Sequence, residues 1–176
     1  MGMDVFGNDP TKPKGEHFRR NVWRWHPLAN LVCTIAPGIT NGCHHWHSNE
    51  GDGLGEDDAK ALAKALRRAL KSGRVRRLIA KRERYLAGLP NDDCDLCSGT
   101  GVRRDAIGID SGDPEKIIGP DTDATPNHPR FGQKGWCNGC DGHGWKRPFE
   151  CHYHVDAEDV ADFAAFLECC GGFEIC

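Results

Sequence analysis

Apolar residues fall into four helical stretches separated by segments without a period. Leu62, Leu66 and Leu70 recur every four residues, which places them on one face of a helix running to about Lys71. Asp57 or Asp58 is the expected cap and Gly73 the stop. A second helix over 75–87 puts Leu78, Ile79, Leu86 and the stem of Arg82 on one side, and it ends before Gly88 and Pro90. A third starts at Asp156, with Asp159 in the capping-box position, and turns Val160, Phe163, Ala164 and Leu167 inward as far as about Cys169. A shorter one over 27–36 opens on Pro27 and closes at Pro37-Gly38. The loose alternation over 18–25 predicts a strand, as do residues 149–155 and the terminal 173–176. Residues 1–15 hold turn formers and prolines with little periodicity, 41–55 read as a loop, and 102–136 as a long loop or hairpin.

This pattern predicts an α+β protein, a small helical core with short strands and an insertion. The expected division is a helical part over 1–91, a metal-binding module over 92–147, and a strand and helix over 148–176 that pack back on the first part. A length of 176 residues suits one domain carrying an inserted module. With 22 glycines and modest apolar content, the chain calls for a staple to supplement its core. No stretch reaches the roughly 18 apolar residues of a membrane span, and the first residues lack the apolar run of a signal peptide. Gly2 is followed by Phe6 where a myristoylation signal needs Ser or Thr. Ten cysteines, two pairs of them spaced for metal, then favour a cytoplasmic metal protein over a disulfide scaffold. The net charge of −3 is unevenly distributed. Residues 60–84 hold 11 Lys and Arg against the single acid Glu83, whereas 92–123 is strongly acidic.

The metal spacing lies in a repeated phrase. Cys94-Asp-Leu-Cys97-Ser-Gly99-Thr-Gly101 and Cys137-Asn-Gly-Cys140-Asp-Gly142-His-Gly144 both read Cys-x-x-Cys-x-Gly-x-Gly. Two thiolates at this spacing converge on one face of a tetrahedral ion, and the glycines allow a sharp turn whose N–H groups reach the sulfurs. Cys94, Cys97, Cys137 and Cys140 together form a four-cysteine set for one structural zinc. His143 lies between the glycines of the second copy and is expected to be exposed. The phrase resembles the cysteine-rich zinc region of DnaJ-type co-chaperones, which carries four copies and two zinc sites on a narrow antiparallel scaffold. The resemblance covers residues 92–147 and implies half of that region with one zinc. The J-domain signature His-Pro-Asp is absent, since Leu28 follows His26-Pro27 and Arg130 follows His128-Pro129. Co-chaperone activity therefore does not carry over. The segments Met1–Gly7, Asn21–Leu28, Gly51–Leu54 and Gly171–Cys176 resemble a family of small phage and bacterial proteins, which implies an accessory protein and no particular activity.

Three further segments are candidates. Cys43-His44-His45-Trp46-His47, with Cys33 upstream, and Cys151-His152-Tyr153-His154 offer metal ligands. A site of His45, His47, His152 and His154 would need the two segments to pair in register, and an open site there would be that of a metalloenzyme. The acids over 49–58 lack the order of a calcium loop and read as complements to a helix start. The basic pair of helices could grip phosphates, with Arg67, Arg68, Arg76 and Arg77 as the principal contacts and Trp136 and Trp145 as stacking surfaces. No nucleophile elbow, P-loop or dinucleotide fingerprint occurs. The leading expectation is a non-enzymatic zinc protein that binds a protein or a nucleic acid, and the alternative is the metalloenzyme.

Overall fold

Short strands and helices alternate along the chain in a computed structural model that describes residues 2–176. In order they are β1 Gly2–Gly7, β2 His17–Asn21, α1 Val22–Ile35, α2 Pro37–Thr40, β3 Asp52–Leu54, α3 Glu56–Lys71, α4 Arg74–Ala87, β4 Asp92–Asp93, α5 Ala106–Asp110, β5 Trp145–Lys146, α6 Ala157–Leu167 and β6 Phe173–Ile175. The fold is α+β. It divides into two compact units, one made of the residues up to Gly88 with Glu150–Cys176, the other of Leu89–Phe149.

The first unit is built on an antiparallel sheet of order β2-β1-β6-β3. Val5 lies between Phe18 and Ile175, while Leu54 pairs with Phe173. These five side chains are buried together with Trp25, Leu28, Leu62, Leu66, Phe163 and Phe166 from the helices. Helix α3 carries its apolar stripe into this core as the fourfold spacing predicts, although Gly55, and not Asp57 or Asp58, is its N-cap. The acids Glu56, Asp57 and Asp58 occupy the first turn, where they complement the helix dipole. At α6 the Asp156 side chain accepts from the N–H groups of Glu158 and Asp159, and Asp159 returns the bond to the N–H of Asp156.

The strand expected over 18–25 is half strand and half helix. Asn21 ends β2 and caps α1, its side chain accepting from the N–H of Arg24 at 3.0 Å. The helical spacing of Trp25, Leu28, Ala29 and Val32 then outweighs the short alternation, and all four are buried. Pro27 consequently sits inside α1 and has no N–H for the carbonyl of Trp23. That carbonyl accepts from the N–H of His154 at 3.1 Å, so the lost helical bond becomes a tertiary one. The strand expected over 149–155 is instead a 3-10 turn at Phe149–His152, because no strand edge pairs with it. The aperiodic segment 1–15 contains β1, and the segment read as a loop over 41–55 contains β3; both strands are short, and pairing with β6 holds them.

The second unit has little regular structure. β4 pairs with β5 through Asp93 and Trp145, α5 makes one short helix in the segment read as loop, and Ile117 bridges Lys134. Its buried side chains are the four knuckle cysteines, Ile118, Arg103, Asp113 and Thr122. So small an apolar core cannot offset the entropy of ordering such a segment without an added cross-link.

Candidate metal centre

Each knuckle is a backbone loop closed by its own hydrogen bonds, and the two loops repeat the same bonds. The N–H of Cys97 donates to the carbonyl of Cys94 at 3.2 Å, and that of Thr100 to Cys97 at 3.0 Å. In the second loop Cys140 donates to Cys137 at 3.3 Å and His143 to Cys140 at 2.8 Å. Ser98 and Asp141, at equivalent places, both adopt left-handed backbone with φ of 49°. The β4–β5 pairing brings the loops together, the N–H of Cys94 reaching the carbonyl of Gly144 at 2.8 Å.

The result is four buried cysteines whose sulfurs all lie within 4.8 Å of one another, an arrangement that could hold a metal ion. Cys94 Sγ is 3.9 Å from Cys137 Sγ, and Cys97 Sγ is 3.8 Å from Cys140 Sγ. A tetrahedral ion with metal–sulfur bonds of about 2.3 Å separates its ligands by about 3.8 Å, so these pairs match its edges. Two backbone donors face the cluster. The N–H of Gly101 points at Cys97 Sγ and that of Gly144 at Cys140 Sγ, both at 3.2 Å. Such bonds stabilise thiolate over thiol and orient the sulfur. A side chain at either glycine would collide with the opposite loop, since a Cβ at Gly101 falls 2.4 Å from the carbonyl oxygen of Gly142, and one at Gly144 falls 2.4 Å from that of Gly99. The glycines thus serve the interlocking of the loops as much as their turning.

Burial pushes the thiols of Cys137 and Cys140 up, the latter to about 12. Burial acts on Cys94 in the same sense, but the N–H of Leu96 and the neighbouring thiols bring it below the ordinary range. Without a cation the pocket resists full ionisation; a divalent ion reverses that balance by displacing the protons.

Two arginines that spacing and periodicity do not reveal complete the centre. Arg130 donates through Nη1 to the carbonyls of Gly101 and Gly142, at 2.9 and 3.0 Å, and through Nη2 to those of Lys134 and Gly135. It bridges both knuckles. Arg103, 8% exposed, forms a two-pronged pair with Asp105 and reaches Asn138 Oδ1 at 3.0 Å. His143 is half-buried rather than exposed, its ring centre 4.1 Å from that of His128 and 5.0 Å from that of Trp145. Burial beside His128 lowers its pKa.

The other candidate segments do not gather into a comparable set. His45 is exposed and pairs with Glu50, while His47 meets Asn30 Oδ1 at 3.0 Å and packs on His26. His152 packs near Trp23, and His154 Nδ1 faces the carbonyl of His152. Among the described residues, the four knuckle cysteines form the group with converging ligand atoms, and His45, His47, His152 and His154 are not in it. Cys43 is buried, which pushes its thiol up to about 12. The carboxylate of Asp52 is taken by the N–H groups of His44, His45 and Gly53.

The four arginines named for phosphate contact differ in their freedom. Arg67 is held by Glu168 at 2.7 Å, and Arg77 donates to the carbonyl of Ser72. Arg68 and Arg76 are exposed without a carboxylate in reach among the described residues, as are Lys64, Lys71, Lys81 and Arg84. Arg74 is spent on the carbonyls of Ile35 and Thr34, and Arg82 on that of Tyr153. All ten cysteines are free thiols, and no helix of the described residues is long and apolar enough to cross a membrane. Comparison with family models, curated proteins and solved structures finds no match to this chain.

Proposed function

We propose that this chain is a non-catalytic zinc protein of the accessory kind, in which Cys94, Cys97, Cys137 and Cys140 hold one structural zinc and the exposed bases of α3 and α4 bind nucleic acid. The observation that carries the metal reading is the pair of sulfur separations of 3.8 and 3.9 Å in a buried four-cysteine set. Four thiolates suit zinc, a closed set leaves no position for substrate, and the ion therefore stabilises a fold. The likeness of the repeated phrase to half of a DnaJ-type zinc region supports the same choice of metal. For the partner, support comes from the six cations on α3 and α4 that no carboxylate among the described residues neutralises, an arrangement that attracts a phosphate backbone.

Elemental analysis of untagged protein tests the first part and is expected to give one zinc per chain; absence of zinc, or a second metal with an exchangeable ligand, would overturn it. Gel shifts with single- and double-stranded oligonucleotides test the second. Affinity should fall steeply as salt rises, and no shift at low salt would remove the nucleic-acid reading.

A further inference from the structure

A cavity of about 560 Å3 opens beside the second knuckle and is lined in part by Asp121, Asp123, Asp141, His128, Trp136 and His143. Its charge is one-sided. The three aspartates are exposed, none is in an ion pair among the described residues, and no Lys or Arg lines the cavity. The nearby Lys116 is already paired with Asp113 at 2.7 Å and lies over the ring of Trp136. The wall is aromatic, formed by the imidazoles of His128 and His143, whose ring centres lie 4.1 Å apart with the planes tilted by 44°, and by the indole of Trp136.

A second observation is independent of the charge. His128 Nε2, His143 Nδ1 and Trp136 Nε1 are buried and have no hydrogen-bond partner. Unsatisfied buried polar atoms are rare in native proteins, and these three all belong to residues that line this one cavity. Two of the three are imidazole nitrogens, which accept from an N–H donor in the appropriate tautomer; the indole can only donate.

We propose that this cavity binds an arginine residue of a peptide partner. A guanidinium is planar, stacks on aromatic walls, and carries five N–H donors for carboxylates and imidazole nitrogens. The indole N–H needs an acceptor, which a peptide carbonyl supplies. Three aspartates oppose a phosphate or a free carboxylate, so nucleotides and free arginine fit less well. The volume exceeds what one guanidinium fills and leaves room for the flanking backbone. The proposal rests on the zinc reading insofar as Asp141 and His143 belong to the second knuckle and need its loop held in place.

The test is calorimetric titration of the full zinc-loaded chain with the blocked tripeptide acetyl-Gly-Arg-Gly-amide, and with its Lys analogue, free L-arginine and cytidine monophosphate as alternatives. The arginine tripeptide should bind best, with a salt-sensitive affinity. The combined D121N, D123N and D141N variant should weaken it at least about tenfold, which corresponds to 1.4 kcal/mol. Asparagine suits the left-handed backbone of Asp123 and Asp141, so folding should survive. The Trp136 indole N–H resonance, assigned with W136F, should shift on binding. No binding of the arginine tripeptide, tighter binding of the nucleotide, or equal affinity in the triple variant would overturn the proposal. Zinc content is measured on every sample. A chain with one zinc and no peptide binding refutes the cavity alone, whereas a chain without zinc refutes the metal reading first.

Discussion

At residue scale, the two glycines after each second thiol carry more of the metal centre than their size suggests. Gly144 has φ of 88°, and its N–H points at Cys140 Sγ. Replacing it with alanine adds backbone strain and drives a methyl group into the Gly99 carbonyl 2.4 Å away. The Gly144→Ala variant should lose about 1–3 kcal/mol of stability and bind zinc more weakly, read by competition with a chromogenic chelator. Cys140→Ser removes a ligand outright and should release the ion, so full zinc retention in it would remove Cys140 from the set. A different residue governs the acid response of the first unit. Asp159 is 1% exposed and takes bonds from Arg20 at 2.9 Å and Arg24 at 2.8 Å. Burial alone would raise its pKa, but Arg24, the Asp156 N–H and Arg20 outweigh burial and hold it below the ordinary value. Its folded pKa is depressed, so its contribution is complete above the unfolded value near 3.9 and lost as pH falls through the folded one. Asp159→Asn should cost about 3 kcal/mol at neutral pH and flatten the fall in stability below about pH 4, measured by urea unfolding across pH.

At the scale of elements, α3 and α4 present a mixed face in which some bases are structural and others free. Reversing Lys64, Arg68, Arg76 and Lys81 to Glu should abolish oligonucleotide binding with little change in melting temperature. Reversing Arg67 and Arg74 should instead destabilise the fold, because each has a fixed partner in Glu168 or in the carbonyls of Ile35 and Thr34. Equal oligonucleotide affinity in the first variant and the wild type would move the binding face elsewhere. Helix α3 was legible because Leu62, Leu66 and Leu70 repeat every four residues, and α6 because Asp156 and Asp159 spell its cap. The strands were not. β1 and β3 are three to six residues long and owe their form to β6, which enters the sheet from the far end of the chain. Helix α1 was misplaced because a proline reads as a start, whereas here a partner for the orphaned Trp23 carbonyl comes from His154, far along the chain. The knuckles were legible as local spacing, but Arg130, Arg103 and the cavity beside His143 arise from chain returns across a segment with no period.

At the scale of the whole molecule, two kinds of stabilisation divide the chain. The unit containing the sheet buries a continuous aromatic and aliphatic core, in which Trp25, Phe163, Phe166 and Phe173 pack within 5.7–6.3 Å of a ring neighbour. The unit Leu89–Phe149 buries four thiols, one isoleucine and the polar side chains of Arg103, Asp113 and Thr122. Hydrophobic burial there falls far short of the roughly 1–2 kcal/mol per residue that backbone ordering costs. A metal ion held by the four cysteines would close the gap, since metal binding and folding are linked when the ligands come from loops distant in sequence. Removing the ion should therefore unfold one unit and spare the other. Hydrogen exchange of the chelated protein should show residues 92–147 losing protection, strongest at the N–H groups of Gly101, Gly144 and Cys94, while α3 and α6 keep theirs. Lowering the pH should have the same selective effect, because protons compete with the ion for thiolates that burial already disfavours. Restoring zinc at neutral pH should recover the protection. If chelation left 92–147 protected, the cysteines would be a packed core and not a metal site; if it unfolded α3 and α6 as well, the sheet unit would depend on the ion despite containing none of its ligands.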